Sequence, residues 1–450
     1  MAFIMLIILI AFTIISYFFG KRSFVSPWFL LCLIFLVTFS LLLLNYNNWN
    51  INICWQFTLY VVSAIVAFGL GCCLVNYLSK SLIIKPNCDK NCSKVDYLGR
   101  VIKTKYPVNL FLIATILLAL FYIIKILSDA GAGGSFTDKL RRIYEKGNEY
   151  SPGFVFNQCR EIITAIAYLN TFRLLIRFYS KSDSVSFLKL CIPIFVFLIV
   201  VLISTERNFF LRYAIYFLCV WVLVYKETHD KKNINLKIFV HAVVILAVVV
   251  VLFFIMGKAK QYKSDFFRMV SIYAGSGLND FNLWIKDYDG SLMLGQSTFT
   301  TFNGSFGSIL KIFGIRLEGT VSQFDPFIEY VSPNGYYYSS NIYTSLKPYV
   351  EDFGYFGVTI IPFLVGMFYQ WLFNKTEKKS FSFAWIIYGM LIYSIIYFPI
   401  GEQLFRRFHL GLVYEVFWAM IIYWFVFKRK KTNIYKTKTT ENIEKKSKKC

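Results

Sequence analysis

The 450-residue chain is poor in charge: Asp, Glu, Lys and Arg make up only 16% of it. An ordinary soluble protein carries about 25%, so much of this surface is not built to face water. Histidine is scarcer still, with three residues, which argues against a histidine-rich metal centre. Ten cysteines are scattered, and Cys32, Cys54, Cys72, Cys73, Cys191 and Cys219 fall inside apolar runs, where cysteine usually acts as a small hydrophobe. Cys88 and Cys92 share a basic loop with no histidine near them, whereas a zinc site needs about four ligands. No metal, no cofactor and no disulfide framework are therefore expected. The alternating segments of about ten residues that mark a transmembrane β-barrel are missing. So is any visible internal repeat of the kind common in transporters. No nucleic-acid-binding motif accompanies the net charge of +23, and no nucleic-acid partner is expected.

Apolar residues, in contrast, reach 57%, with a mean hydropathy of +0.55. They come in runs of roughly 17–25, the length that crosses a hydrocarbon core of about 30 Å. Backbone in lipid must satisfy its own hydrogen bonds, so such runs are helices. The pattern predicts an all-α polytopic transmembrane bundle of about eleven helices. They are placed near 2–19, 27–44, 55–79, 108–127, 161–179, 187–204, 208–226, 237–256, 353–374, 381–399 and 409–427. The first run is expected to be a retained helix, because Lys21 and Arg22 follow it rather than precede it. Residues 1–427 then form a membrane domain with external loops 128–160 and 257–352. Residues 428–450, mostly Lys, Thr, Asn and Glu, form a basic tail expected to be disordered in the cytoplasm.

Orientation follows from the bias of Lys and Arg toward short cytoplasmic segments. With the tail inside, 30 of the 48 basic residues fall in inside segments and 16 outside, half of the latter in the one long loop. Eleven helices put the N-terminus outside and the C-terminus in the cytoplasm.

The two basic residue types divide unequally. Arginine supplies 5 of the inside 30 but 8 of the outside 16: Arg141, Arg142, Arg160, Arg207, Arg268, Arg316, Arg406 and Arg407. A planar guanidinium meets phosphate or carboxylate with two parallel hydrogen bonds, which an ammonium cannot do. Arg142, Arg160, Arg207, Arg268, Arg406 and Arg407 are therefore candidates for a pyrophosphate clamp, against the simpler reading of side chains snorkelling to headgroups. The long loop is rich in tyrosine near its end, and Tyr337, Tyr338 and Tyr343 are candidate sugar-stacking rings; an interfacial aromatic belt is the alternative. Asp352, Glu402 and His409 stand where external segments meet helices, beside Lys347 and Arg406. Each is a candidate general base. For Asp352 the competing role is capping a helix N-terminus.

Two stretches carry a family likeness. Ser151-Pro152-Gly153-Phe154-Val155-Phe156-Asn157-Gln158 and the run from Asn341 to Gly357, which contains Lys347-Pro348-Tyr349-Val350-Glu351-Asp352-Phe353-Gly354, resemble the oligosaccharide repeat unit polymerases, the Wzy-type enzymes of O-antigen and capsular polysaccharide assembly. The helix number, large external loop and basic tail are similar to theirs over the whole length. The resemblance implies a GT-C-like polymerase or ligase architecture in a bacterial inner membrane. It also implies a glycosyltransferase that moves a glycan from an undecaprenyl-pyrophosphate carrier onto a new lipid-linked repeat unit. The implied partners are that lipid-linked oligosaccharide, the bilayer, and a chain-length regulator and flippase of the same pathway. An O-antigen ligase shares the architecture with another acceptor, as in lipopolysaccharide assembly. A flippase is the non-enzymatic alternative.

The orientation is tested by reporter fusions. Activity is expected to read external at Asn47, Gly133 and Gly304 and cytoplasmic at Asn91, Lys232 and Lys438. A cytoplasmic reading at Gly304 would put the long loop in the wrong compartment.

Overall fold

The computed structural model describes residues 1–81, 106–131, 152–179, 185–204, 207–228, 270–300, 327–331, 337–405 and 410–427, with a few isolated positions between them. The expected helix at 237–256 lies outside these residues, apart from three isolated positions.

The protein is a membrane-embedded, all-α bundle. Its helices are α1 (Ala2–Phe19), α2 (Pro27–Leu44), the short α3 (Tyr46–Trp49), α4 (Trp55–Ser81), α5 (Val108–Asp129), α6 (Phe154–Tyr179), α7 (Phe187–Ile203) and α8 (Arg207–Thr228). A π-helical turn, Ile272–Ser276, leads into α9 (Gly277–Asp287). A two-stranded hairpin, β1 (Ile328–Val331) and β2 (Tyr337–Ser340), follows, with Tyr330 paired to Tyr338. Then come α10 (Leu346–Lys378), α11 (Phe383–Leu391), α12 (Tyr393–Ile396) and α13 (Leu410–Phe427). Seven of these helices are long and apolar enough to cross a membrane, and three shorter apolar segments accompany them.

Three boundaries depart from expectation. Helix α6 starts at Phe154 rather than 161, so Arg160 sits inside a helix instead of before it, and the external loop ahead of it ends earlier. Helix α10 starts at Leu346 rather than 353, which places Lys347, Glu351 and Asp352 on helix instead of loop. The expected helix 381–399 is broken at Ile392 into α11 and α12.

The tightest seam joins α4 and α10. Helices in lipid gain nothing from hydrophobic burial against each other, so they pack through small residues that let backbones approach. Gly71 and Gly366 do this reciprocally. A Cβ on Gly71 would lie 2.1 Å from the Phe363 carbonyl oxygen, and one on Gly366 would lie 2.2 Å from that of Phe68. Further down, Gln370 Nε2 donates to Asn76 Oδ1 at 3.1 Å, and Asn374 Nδ2 donates to the same oxygen at 3.0 Å. At the other end the Ser63 and Tyr355 hydroxyls meet at 2.8 Å. Contact positions rise together in both helices, so α4 and α10 run in the same direction.

The same polarity recurs elsewhere. Lys226 and Glu377 pair at 2.9 Å, joining the last turns of α8 and α10. Phe154 meets Tyr414, and Trp418 Nε1 donates to Gln158 Oε1 at 2.8 Å, joining the N-terminal halves of α6 and α13. All of these helices are odd-numbered among the eleven expected, and the expected topology runs them in one direction. The segments read as external gather at one end: Asn282 Oδ1 accepts the Cys54 N–H, Lys286 donates to the Asn52 carbonyl, and the Tyr330 hydroxyl donates to the Trp49 carbonyl.

Replacing Gly366 by valine must push α4 away from α10, and overpacking of this kind costs about 1–3 kcal/mol. The detergent-solubilised variant is expected to melt several degrees below wild type. An unchanged melting temperature would show that the glycine contact is not tight.

Candidate functional site

The segments gathered at this end converge on the first two turns of α10. Gly354, with φ +58° and ψ −141°, breaks that helix just beyond them, a conformation that glycine adopts without strain. The break separates a polar upper piece from the apolar shaft below. Ser345 N–H donates to the Phe398 carbonyl at 2.8 Å and Ser345 Oγ to the Gly401 carbonyl at 3.0 Å. These bonds fix the turn after α12 against the start of α10 and bring Glu402 to Tyr349.

Glu402 is buried. Its Oε1 accepts the backbone N–H groups of Leu404 and Phe405, at 3.0 and 3.1 Å, and the Tyr349 hydroxyl at 3.3 Å. The rings of Phe398, Phe405 and Tyr349 surround this contact, and Phe299 packs on Phe405. The sequence places Arg406, Arg407 and His409 directly after Phe405; with Arg268, these candidates lie outside the described residues, as does the side chain of Arg207.

Asp352 is also buried, and its carboxylate is engaged by backbone. Oδ1 accepts the Ser297 N–H at 2.9 Å and Oδ2 the Thr298 N–H at 2.5 Å. Asp352 therefore does not cap its own helix, which starts at Leu346 with Ser345 as N-cap; its carboxylate ties down the 297–298 turn instead. Beside it, Glu351 accepts Ser297 Oγ at 2.5 Å and pairs with Lys347 at 2.8 Å. The Lys347 ammonium is itself buried, over the rings of Tyr343 (4.5 Å) and Trp284 (5.5 Å). Tyr343 thus serves as the floor for a cation. Tyr338 is buried against Trp49, and of the three tyrosines taken as sugar platforms only Tyr337 presents an open face.

Arg142 and Arg160 have partners of their own. Arg142 donates to the Ala130 carbonyl at 3.3 Å. Arg160 pairs with Glu161 at 3.0 Å and lies over the Phe209 ring. On the adjacent helices Arg212 lies 3.8 Å from Glu415, over the rings of Phe209 and Tyr393. Glu161, Arg212 and Glu415 stand five to seven residues past the starts of helices running the same way, about 8–11 Å along them at 1.5 Å per residue. No role was assigned to Arg212, Glu161 or Glu415 from the sequence. The signal was present, since an ionisable residue inside an apolar run is costly and marks function by default.

Asp280, on α9, belongs to a second group that the sequence analysis did not single out. The Tyr338 hydroxyl donates to its Oδ1 at 2.9 Å, and Asn279 Nδ2 donates to the same phenol oxygen at 2.7 Å. The Ser276–Ser340 hydroxyl pair lies alongside. Burial outweighs these hydrogen bonds and pushes the Asp280 carboxyl from its ordinary 3.8 up to about 7. The group joins the π-helical turn, α9 and the hairpin.

No family model matches the chain, and no curated protein or solved structure is similar to it. Among the described residues, no cluster of His, Cys, Asp and Glu is suited to a metal ion.

The raised carboxyl gives a pH dependence of definite sign. The folded layer holds the Asp280 proton more tightly than the open chain, so this contribution is complete below about pH 3.8. It is lost as pH rises to about 7, and above that it is flat. Wild type is expected to melt lower at pH 7.5 than at pH 5, and Asp280→Asn to lose most of that difference. An equal slope in both would show that Asp280 is not the titrating group.

Proposed function

We propose that the chain is a membrane glycosyltransferase that polymerises polyprenyl-pyrophosphate-linked oligosaccharide repeat units into O-antigen or capsular polysaccharide at the outer face of a bacterial inner membrane. The observation that carries this reading is the Glu402–Tyr349 contact. It is a buried carboxylate set by two backbone N–H groups and a phenol, at the membrane end where the external segments converge. The two stretches that resemble the repeat unit polymerases supply the first turns of α6 and the start of α10, beside this contact in the second case.

The chemistry asked of such a site is limited. An acceptor sugar hydroxyl attacks the anomeric carbon of the donor glycan. The carbon–oxygen bond to the pyrophosphate breaks, the bonding pair leaves with that oxygen, and the hydroxyl proton goes to a base. Glu402 is suited to be that base, with the Tyr349 hydroxyl holding the carboxylate in place. Negative charge growing on the leaving pyrophosphate calls for preorganised cations, and Arg406 and Arg407 follow Glu402 by four and five residues. Asp352 and Lys347 then act as builders of the site: one ties down the 297–298 turn, and the other is held between two rings and Glu351.

A second reading is favoured by one feature. The buried group of Arg160, Glu161, Arg212 and Glu415 lies on membrane helices, where a transporter of the same lipid-linked unit would keep its charges.

Deletion in the native host followed by sizing of the surface glycan separates these readings. A polymerase deletion is expected to leave one repeat unit on the lipid acceptor, a flippase deletion almost none, and a ligase deletion polymer that never reaches the acceptor. A general base contributes about 10²–10⁴-fold to rate, so Glu402→Gln is expected to abolish polymer at normal protein level. Asp352→Asn keeps one acceptor oxygen for the 297–298 turn and is expected to keep polymer. Full-length glycan from Glu402→Gln would remove the proposed base.

A further inference from the structure

Asp280 is fully buried, and the described groups that act on its carboxyl, Tyr338, Ser276 and Ser340, are all uncharged. The charged residues on the same helix and hairpin, Lys286, Asp287 and Glu329, are exposed, and neither α2 nor residues 397–401 carry a charge. The two carboxylate oxygens differ. Oδ1 accepts the Tyr338 hydroxyl, whereas Oδ2 is buried and makes no hydrogen bond among the described residues. The neighbouring Ser276 and Ser340 hydroxyls meet each other at 2.9 Å, and Ser340 Oγ also accepts the Ile342 N–H at 3.1 Å. We infer that Asp280 Oδ2, Ser276 Oγ and Ser340 Oγ bind a monovalent cation, sodium. The inference goes beyond the proposed activity and does not depend on it.

Charge, ligand type and shape select this ion. One carboxylate in an uncharged shell balances one positive charge, and a divalent ion would leave a net charge buried at high cost. All the ligands are oxygens, which suit a hard cation, and with no histidine or cysteine the set offers nothing to a transition metal. A hydroxyl edge of 2.9 Å suits sodium better than the larger potassium. A proton would also neutralise Asp280, but on Oδ2 it would lack an acceptor within hydrogen-bond reach, and a buried donor without a partner is costly. The backbone prepares the position. Ser276 ends the π-helical turn, and Asp280 stands one helical turn further along the same face. Where an i+5 ladder gives way to an i+4 ladder, one backbone carbonyl is skipped, and carbonyls freed in interrupted helices coordinate sodium. The turn is wedged in place: a Cβ on Gly275 would lie 3.2 Å from the Leu42 nitrogen, and one on Gly277 would lie 2.9 Å from the Pro399 carbonyl oxygen. Sodium here would pin the hairpin to the π-helical turn, against a segment that ends three residues before Glu402.

The test melts the purified full chain in detergent at pH 8, in sodium, potassium or choline chloride at equal ionic strength. Sodium is expected to raise the melting temperature by a few degrees over choline, saturably, as a ligand of the folded state does; potassium is not. Protons compete for the same carboxylate, so sodium is expected to bind about 100-fold more weakly at pH 5 than at pH 8. The pH slope of wild type is accordingly steepest in choline. Equilibrium dialysis with radioactive sodium is expected to find a single ion per chain. Asp280→Asn keeps the shape and removes the buried charge, so it is expected to melt no lower than wild type in choline at pH 8 and to bind no sodium. Ser340→Ala is expected to bind sodium about tenfold more weakly. Equal melting in all three salts, or the same sodium increment in Asp280→Asn as in wild type, would overturn the inference. An equal shift with potassium would overturn the assignment to sodium. A sodium response in a chain whose deletion leaves glycan length untouched would support the cation site and sink the polymerase reading instead.

Discussion

The close contact of α4 with α10 is the constraint on which the rest depends. Lipid offers no reason for two apolar helices to associate, so the pair is held by backbone approach at Gly71 and Gly366 and by the amides of Asn76, Gln370 and Asn374. Because the two helices run the same way, their N-terminal ends lie together. The first turns of α10 then become the platform on which residues 284–298 are built. The Gly354 break lets that platform turn away from the shaft without losing its tie to it, since Gly357 packs under the Tyr349 carbonyl.

On this platform the buried polar groups divide their work. Asp352, Glu351 and Lys347 fasten loop to helix, each through partners that burial makes hard to give up. Glu402 is held differently: its partners include two N–H groups of its own turn and one phenol, which tie it to the turn after α12. Further out, Asp280 joins α9 to the hairpin through Tyr338.

Much of this was legible in the sequence because the bilayer imposes a length and a period on every spanning segment. Ten of the eleven expected helices have counterparts among the described residues, most within a few residues of the expected ends. The start of α10 was not legible, since Lys347, Glu351 and Asp352 look like loop residues until Trp284, Tyr343 and the 297–298 turn are brought to them. The tyrosine run read as an open sugar platform for the same reason. Composition cannot tell a ring that faces solvent from one that faces Trp49 or a lysine. Glu402 was singled out because it stands at a helix mouth, but its Tyr349 partner, 53 residues away in the chain, left no local trace. The buried charges of α6, α8 and α13 were visible one at a time, and only the fold sets them at a common depth.

The central claim is that glycan joining happens at the outer end of this bundle with loss of polyprenyl pyrophosphate. Purified protein in liposomes, given a lipid-linked repeat unit on the side of the long loop, tests it directly when released polyprenyl pyrophosphate and new glycosidic bonds are counted together. One polyprenyl pyrophosphate for each bond formed is the expected result. Movement of the lipid-linked unit to the opposite leaflet, with no bond formed, would contradict it and favour the transporter.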